Sequence, residues 1–246
     1  MNRYHVLIEY DGTNFIGWQI QKQGNSIQGI VQKKISKILK EKITIIGSGR
    51  TDSGVHAIEQ SAHFDCKKKI TNIRSLLNSL NYFLNKKLIT ILNIKKKQNN
   101  FHARHSAKIR SYLYIIYNRE GPLSLNKNRG WHLKKKLDIN LLKKGARKLI
   151  GNHDFSTFRS SNCGAKSPIR TIKKIKIIKS KNKIEIRIRS KSFLKQQVRS
   201  MIGCLKYLAE RKWNLKDFEK VVKSKKRSLC APPAPACGLY LEKVIY

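Results

Sequence analysis

Acidic side chains are scarce in this chain: 14 Asp and Glu stand against 54 Lys and Arg in 246 residues, a formal net charge of +40. A surplus that large repels itself in a compact state and calls for a polyanionic partner, of which nucleic acid is the natural candidate. The alternative is compositional drift toward Lys, Ile and Asn, which raises charge without selecting a partner. Cysteine is sparse as well. Cys66, Cys163, Cys204, Cys230 and Cys237 are odd in number and form no C-x-x-C pair, which argues against a zinc site and against a disulfide framework. They read as small buried hydrophobes. No apolar run approaches the roughly 18 residues of a membrane span, and MNRYHVLIEYDGTNF lacks the charged start, apolar centre and cleavage site of a signal peptide. The expected location is cytoplasmic, with no membrane partner.

What is present is alternation and helical periodicity in a repeating order. RYHVLIEY places Tyr4, Val6, Ile8 and Tyr10 on one side of a strand that Asp11-Gly12 turns. From Ser26 or Asn25 as cap, Ile27, Ile30, Val31, Ile35, Ile38 and Leu39 fall at helical spacing. Strands are expected over 43–48 and 59–66, then a helix capped by Thr71 and a strand over 88–94, giving βαββαβ. After a polar join at 98–106 the order recurs. A strand over 111–118 leads to a helix from Asp138 to about Ile150 closed by Gly151, then to strands over 171–179 and 183–190. A helix carrying Leu194 to Leu208, a short one at 215–223, and a closing strand in GLYLEKVIY complete the chain. The expectation is an α+β fold of two ferredoxin-like (βαββαβ) halves, residues 1–105 and 106–246, with mainly antiparallel sheets around a basic RNA-binding cleft.

The least ordinary stretch is IGSGRTDSGVHA, residues 46–57, on the connection between two strands. It is not a P-loop, because Val55 and not Lys follows Gly54. It is not G-x-G-x-x-G either, since Asp52 stands where the third glycine belongs. Asp52 and His56 lack the neighbouring carboxylates that a metal site needs. The aromatic signature of RRM domains, a basic residue followed by G-F/Y-G/A-F-V, is also absent. Two readings remain. One is a plain turn in which Asp52 and Thr51 bond backbone N–H groups. The other is chemical: a carboxylate beside Arg50, in a chain poor in acids, stays ionised, and is a poor general base but a competent nucleophile once held and aimed.

GRTDSGVHA closely resembles the catalytic motif of the TruA family of tRNA pseudouridine synthases. YDGTNFIGWQIQ (10–21), FHARHSAKIRSYLYIIYN (101–118), DFSTFR (154–159), FLKQQVRSMIG (193–203) and APACGLYL (234–241) are similar to further blocks of that family, in order, over nearly the whole chain. The resemblance implies isomerisation of uridine in the anticodon stem-loop of tRNA, on its 3′ side, without cofactor or metal, by a homodimer. It implies that Asp52 is the nucleophile, that Tyr112 lies against the target base and that Arg199 pairs with the nucleophile. Arg50 is a further candidate, to fill the space the base vacates or to hold a phosphate. The chemistry fits on its own terms. The N1 glycosidic bond breaks, the uracil turns and C5 takes its place, so substrate and product are isomers. The reaction needs a nucleophile, a group to remove the C5 proton and a pocket for the detached base. An aromatic face can replace the stacking lost on extrusion.

Each residue also has a plain reading. Tyr112 can be ordinary strand packing and Arg199 a snorkelling helix arginine. His56 and His102 can be satisfied loop histidines as readily as phosphate contacts. The lysine runs at 67–69, 95–97 and 134–136 are solvated faces that add nonspecific RNA attraction. Three departures from the family pattern stand out: Ser53 where alanine is common, Lys195-Gln196-Gln197 where histidines are usual, and Ser111 where a second arginine is frequent. The rival class is a noncatalytic basic RNA-binding protein, for which Asp52 would have no use.

Overall fold

A computed structural model describes residues 1–246, which divide into two compact units: Met1–Lys108 with Tyr240–Tyr246, and Ile109–Leu239. The fold is mixed α+β with mainly antiparallel pairing and five α-helices. No helix is long and apolar enough to cross a membrane.

In the first unit, β1 (Asn2–Tyr10) buries Tyr4, Val6, Ile8 and Tyr10, the face the alternation predicts. The helix α1 (Ile27–Leu39) begins at Ser26, whose Oγ accepts the Gly29 N–H, and it buries Ile27, Val31 and Ile35. Next come β2 (Ile45–Gly47), β3 (His56–Cys66), α2 (Ile73–Leu84) and β4 (Ile89–Lys97). The α2 cap is Asn72 and not Thr71: the Asn72 Oδ1 accepts the Ser75 N–H at 2.8 Å. Asparagine caps at least as well as threonine, so the two neighbours could not be separated by residue type. Leu88, expected in the following strand, takes a left-handed turn instead (φ 57°), and the strand starts one residue later. β1 lies between β3 and β4, antiparallel to both, and β2 pairs with β3 from Ile45 opposite Phe64 to Gly47 opposite Ala62.

The second unit holds β5 (Ile109–Asn118), β6 (Trp131–Leu133), α3 (Ile139–Lys148), β7 (Gly151–Asp154), β8 (Ile169–Ser180), β9 (Lys183–Ser190), α4 (Gln197–Ala209) and α5 (Leu215–Lys223). Its antiparallel strands run in the order β5-β9-β8-β7, with β6 parallel to the end of β5. Along β9 the buried side chains are Ile184, Ile186, Ile188 and Ser190, every second residue, as a sheet with one covered face requires. Asp138 caps α3 through the Leu141 N–H. Gly151 does not close that helix; it opens β7, pairing with Ile172. β6 and β7 are three and four residues long, too short for an alternation signal.

The closing strand, β10 (Leu239–Ile245), corrects the expected division. The sequence reading assigned everything from 106 onward to the second half, but Tyr240–Tyr246 belong to the first unit. Tyr240 and Leu241 pair in parallel with His56 and Ala57 on β3, along the stretch that β2 leaves uncovered. The Tyr240 ring stacks on His56 at 4.6 Å. The Tyr246 hydroxyl donates to the Ala103 carbonyl at 2.9 Å and also meets Ser61 Oγ. Phe101 and His5 pack around the Tyr246 ring. The polar 98–106 stretch, expected as a bare join, is therefore a receptor for the chain's last residues.

Candidate active site

Asp52 lies in the connection from β2 to β3, and the backbone on both sides of it is fixed by the 10–19 segment. Thr51 is buried; its Oγ1 meets the Tyr10 hydroxyl at 2.8 Å, and its carbonyl accepts the Trp18 N–H at 3.1 Å. The Asp52 carbonyl accepts the Val55 N–H, closing a turn over Ser53-Gly54. Ser53 Oγ and the Gly54 N–H both donate to the Phe15 carbonyl, at 3.1 and 3.3 Å. Before the aspartate, the fully buried Gln60 donates from Nε2 to the Gly49 carbonyl at 2.7 Å.

Two glycines make this fit possible. A Cβ on Gly12 would lie 2.0 Å from the Val55 carbonyl oxygen, and one on Gly17 would lie 2.5 Å from the Thr51 carbonyl oxygen and 3.0 Å from the Asp52 carbonyl carbon. Gly17 also has φ +108°, which residues with a side chain rarely adopt. The plain-turn reading is thus half right: the loop is a turn, but it is locked from outside by a segment some 40 positions away in sequence. Rigid backbone around a single carboxylate is what a positioned nucleophile needs.

Arg50 is exposed, and its Nε donates to Gln19 Oε1 at 3.0 Å. His56 is buried, and its Nδ1 accepts the Gly12 N–H at 3.0 Å. His102 Nδ1 accepts the Arg104 and His105 N–H groups at 3.2 and 3.3 Å, and burial lowers its pKa from the ordinary value. Both histidines are satisfied by their own neighbourhood.

In the second unit, Tyr112 stands on β5 opposite Ile188, is 8% exposed, and meets Phe193 edge to face at 5.1 Å. Tyr114, two residues on, is fully buried, and its hydroxyl donates to the Pro235 carbonyl at 2.8 Å; burial pushes its phenol well above the usual range. Arg199, in the first turn of α4, does not snorkel. Its Nε donates to the Ala234 carbonyl at 2.7 Å while the Ala234 N–H donates to the Arg199 carbonyl at 2.9 Å. The proline-rich segment thereby clasps Arg199 at two points. Just before α4, Gln196 is left-handed (φ 61°), and the buried Gln197 accepts the Leu194 N–H through Oε1 at 2.8 Å. The Lys-Gln-Gln departure thus supplies local structure at the helix start. The sequence reading gave DFSTFR no role. The structure makes it a brace: Phe155 and Phe158 are fully buried, and Arg159 holds the Cys163 and Ala165 carbonyls at 2.6 and 2.8 Å.

Asp52 and Arg50 therefore belong to the first unit, Tyr112 and Arg199 to the second. The positioning residues missed from sequence are Tyr10, Gly12, Gly17 and Gln60. The glycines in D-G-T-N-F-I-G-W carried a usable signal, since two glycines in a short segment with no phosphate-binding pattern often mark a close backbone approach.

Comparison with known proteins sets the class first: the chain is an enzyme of the isomerase class, which removes the noncatalytic-binder alternative. A family model described as tRNA pseudouridine synthase matches residues 6–106 and 146–246, and the chain belongs to that family. The tRNA pseudouridine synthase A of Pelagibacter ubique is 66% identical over 246 residues, covering 100% of both chains. That of Paramagnetospirillum magneticum is 43% identical over 246 residues, covering 100% of this chain and 96% of its own. That of Rhizobium meliloti is 41% identical over 248 residues, covering 100% of each.

Proposed function

We propose that this enzyme converts uridine to pseudouridine on the 3′ side of the tRNA anticodon stem-loop, with the Asp52 carboxylate as nucleophile. The observation that carries the reading is the immobilised Asp52 loop, whose backbone is held by Phe15, Trp18 and Gln60 and admitted by Gly12 and Gly17. The target uridine leaves its stack at a cost of a few kcal/mol, and the Tyr112 ring offers the base a new face. Asp52 then attacks the sugar C1′ or the base C6, the N1–C1′ bond opens, the uracil turns and C5 bonds to C1′; the bond to the Asp52 oxygen breaks, C5 loses its proton and N1 takes one up. No electrons are gained or lost. Arg199, whose Nε is held by the Ala234 carbonyl, is the guanidinium assigned to pair with the nucleophile.

Arg50 is exposed in the same loop and is suited to a phosphate oxygen of the bound RNA. The surplus of 54 basic over 14 acidic side chains supplies the long-range attraction for tRNA. Cytoplasmic location and a homodimer, which sedimentation would reveal, complete the reading. The experiment is incubation with an unmodified tRNA transcript followed by mapping of modified positions. New pseudouridine confined to the 3′ side of the anticodon arm is expected; modification only elsewhere, or none, refutes the assignment.

A further inference from the structure

One pair of reactive side chains is unused by the chemistry above. Cys204, on α4, is fully buried, and Cys230, just after the 3-10 turn Arg227–Leu229, is partly exposed; their sulfurs are 3.4 Å apart. Arg227 stands beside them, donating to Ser200 Oγ at 2.9 Å. We propose that Cys204 and Cys230 are a peroxide-sensitive dithiol whose oxidation to a disulfide disengages the segment that orients Arg199.

The two sulfurs are chemically unequal. The hydrogen bond from the Cys204 thiol, with the Arg227 charge close by, lowers Cys230 below the ordinary thiol value, whereas the same bond and burial push Cys204 up. Cys230, the more exposed and more readily ionised, is the attacking sulfur. Its thiolate attacks one oxygen of hydrogen peroxide; the O–O bond breaks, hydroxide leaves and a sulfenic acid forms. Cys204 then attacks the sulfenic sulfur. The S–O bond breaks, and the displaced hydroxide takes the Cys204 proton to give water. The two thiols lose two electrons, and peroxide is reduced to two waters.

Bonding brings the sulfurs from 3.4 Å to about 2.05 Å, so the gap between the two segments' sulfurs must close by more than an ångström. Cys204 sits in a helix that is buried over most of its length, so the Cys230 side yields. The next residues are tightly keyed to α4: a Cβ on Gly203 would lie 2.1 Å from the Pro232 carbonyl oxygen, and Ala234 makes both bonds to Arg199. A shift that starts at Cys230 therefore reaches Ala234 four residues on, and the guanidinium loses its support.

The activity consequence rests on the role proposed for Arg199; the cross-link itself does not. Full-length enzyme treated with hydrogen peroxide is digested without reductant, and tritium release from C5-labelled uridine in tRNA is measured in parallel. The expected result is a peptide joining Cys204 to Cys230 and a roughly ten- to hundredfold loss of rate. Dithiothreitol reverses both, and neither appears in Cys204→Ala or Cys230→Ser. Absence of the joined peptide, with Cys230 advancing to sulfinic acid, overturns the proposal. So does an equal loss of rate in Cys204→Ala, or a cross-linked enzyme at full rate. An enzyme inactive before oxidation would count against the proposed function, and the cross-link would still decide the dithiol.

Discussion

Replacing Gly17 by alanine tests whether the 10–19 segment positions Asp52. The new Cβ would fall 2.5 Å from the Thr51 carbonyl oxygen and 3.0 Å from the Asp52 carbonyl carbon, where real Cβ contacts essentially never come below 3.0 Å. The two segments must separate by at least about 0.5 Å at Thr51, and alanine must also hold φ near +108°. Backbone strain of this kind costs about 1–3 kcal/mol and overpacking a similar amount, so stability should fall by roughly 2–6 kcal/mol. The catalytic cost is separate. A displacement approaching an ångström at a reacting group costs up to about a hundredfold, so a half-ångström shift should lower the turnover number by roughly tenfold. Single-turnover tritium release from C5-labelled tRNA, at a temperature where circular dichroism shows the variant folded, measures that term alone. Wild-type turnover in a folded Gly17→Ala enzyme would show that the cradle is scaffolding without a part in catalysis.

Arg199→Lys removes the donor to the Ala234 carbonyl and the planar fork with it, so turnover should fall by about tenfold or more and denaturant stability by about 1–2 kcal/mol; equal kinetics and equal melts would contradict the clasp. Stability should also decline on mild acidification. His5 and His63 are lowered to about 4 from 6.5, chiefly by burial, then by Lys97 and Lys95 for His5 and by Arg3 and His102 for His63. Between those values the unfolded chain binds protons that the folded chain refuses, so stability present above pH 6.5 is lost as pH falls toward 4. Thermal melts across that range should show the decline, and His5→Gln with His63→Gln should flatten it; an unchanged slope would show that other groups govern it.

Local elements were legible where one face of a strand or helix is covered. Tyr4, Val6, Ile8 and Tyr10 in β1 and the isoleucines of β9 declare their faces by alternation, and Ser26 and Asp138 declare their helix starts by side-chain chemistry. β6 and β7 were not legible, because three or four residues carry too few alternations and their pairing depends on longer neighbours. The placement of Tyr240–Tyr246 in the first unit escaped for another reason. Strand character is local, but the choice of partner rests on His56, Ala103 and Ser61, more than 100 residues earlier. The motif around Asp52 was recognisable as a block. What holds it was not, since Gly12 and Gly17 act by what they lack, and only the loop packed against them reveals the need.

The most direct test of the central claim is tritium release from C5-labelled uridine in tRNA by Asp52→Asn, with tRNA binding measured on the same preparation. The amide is nearly the shape of the carboxylate but is no nucleophile, so binding should persist while release disappears. An Asp52→Asn enzyme that binds tRNA and still releases tritium at the wild-type rate would contradict the account.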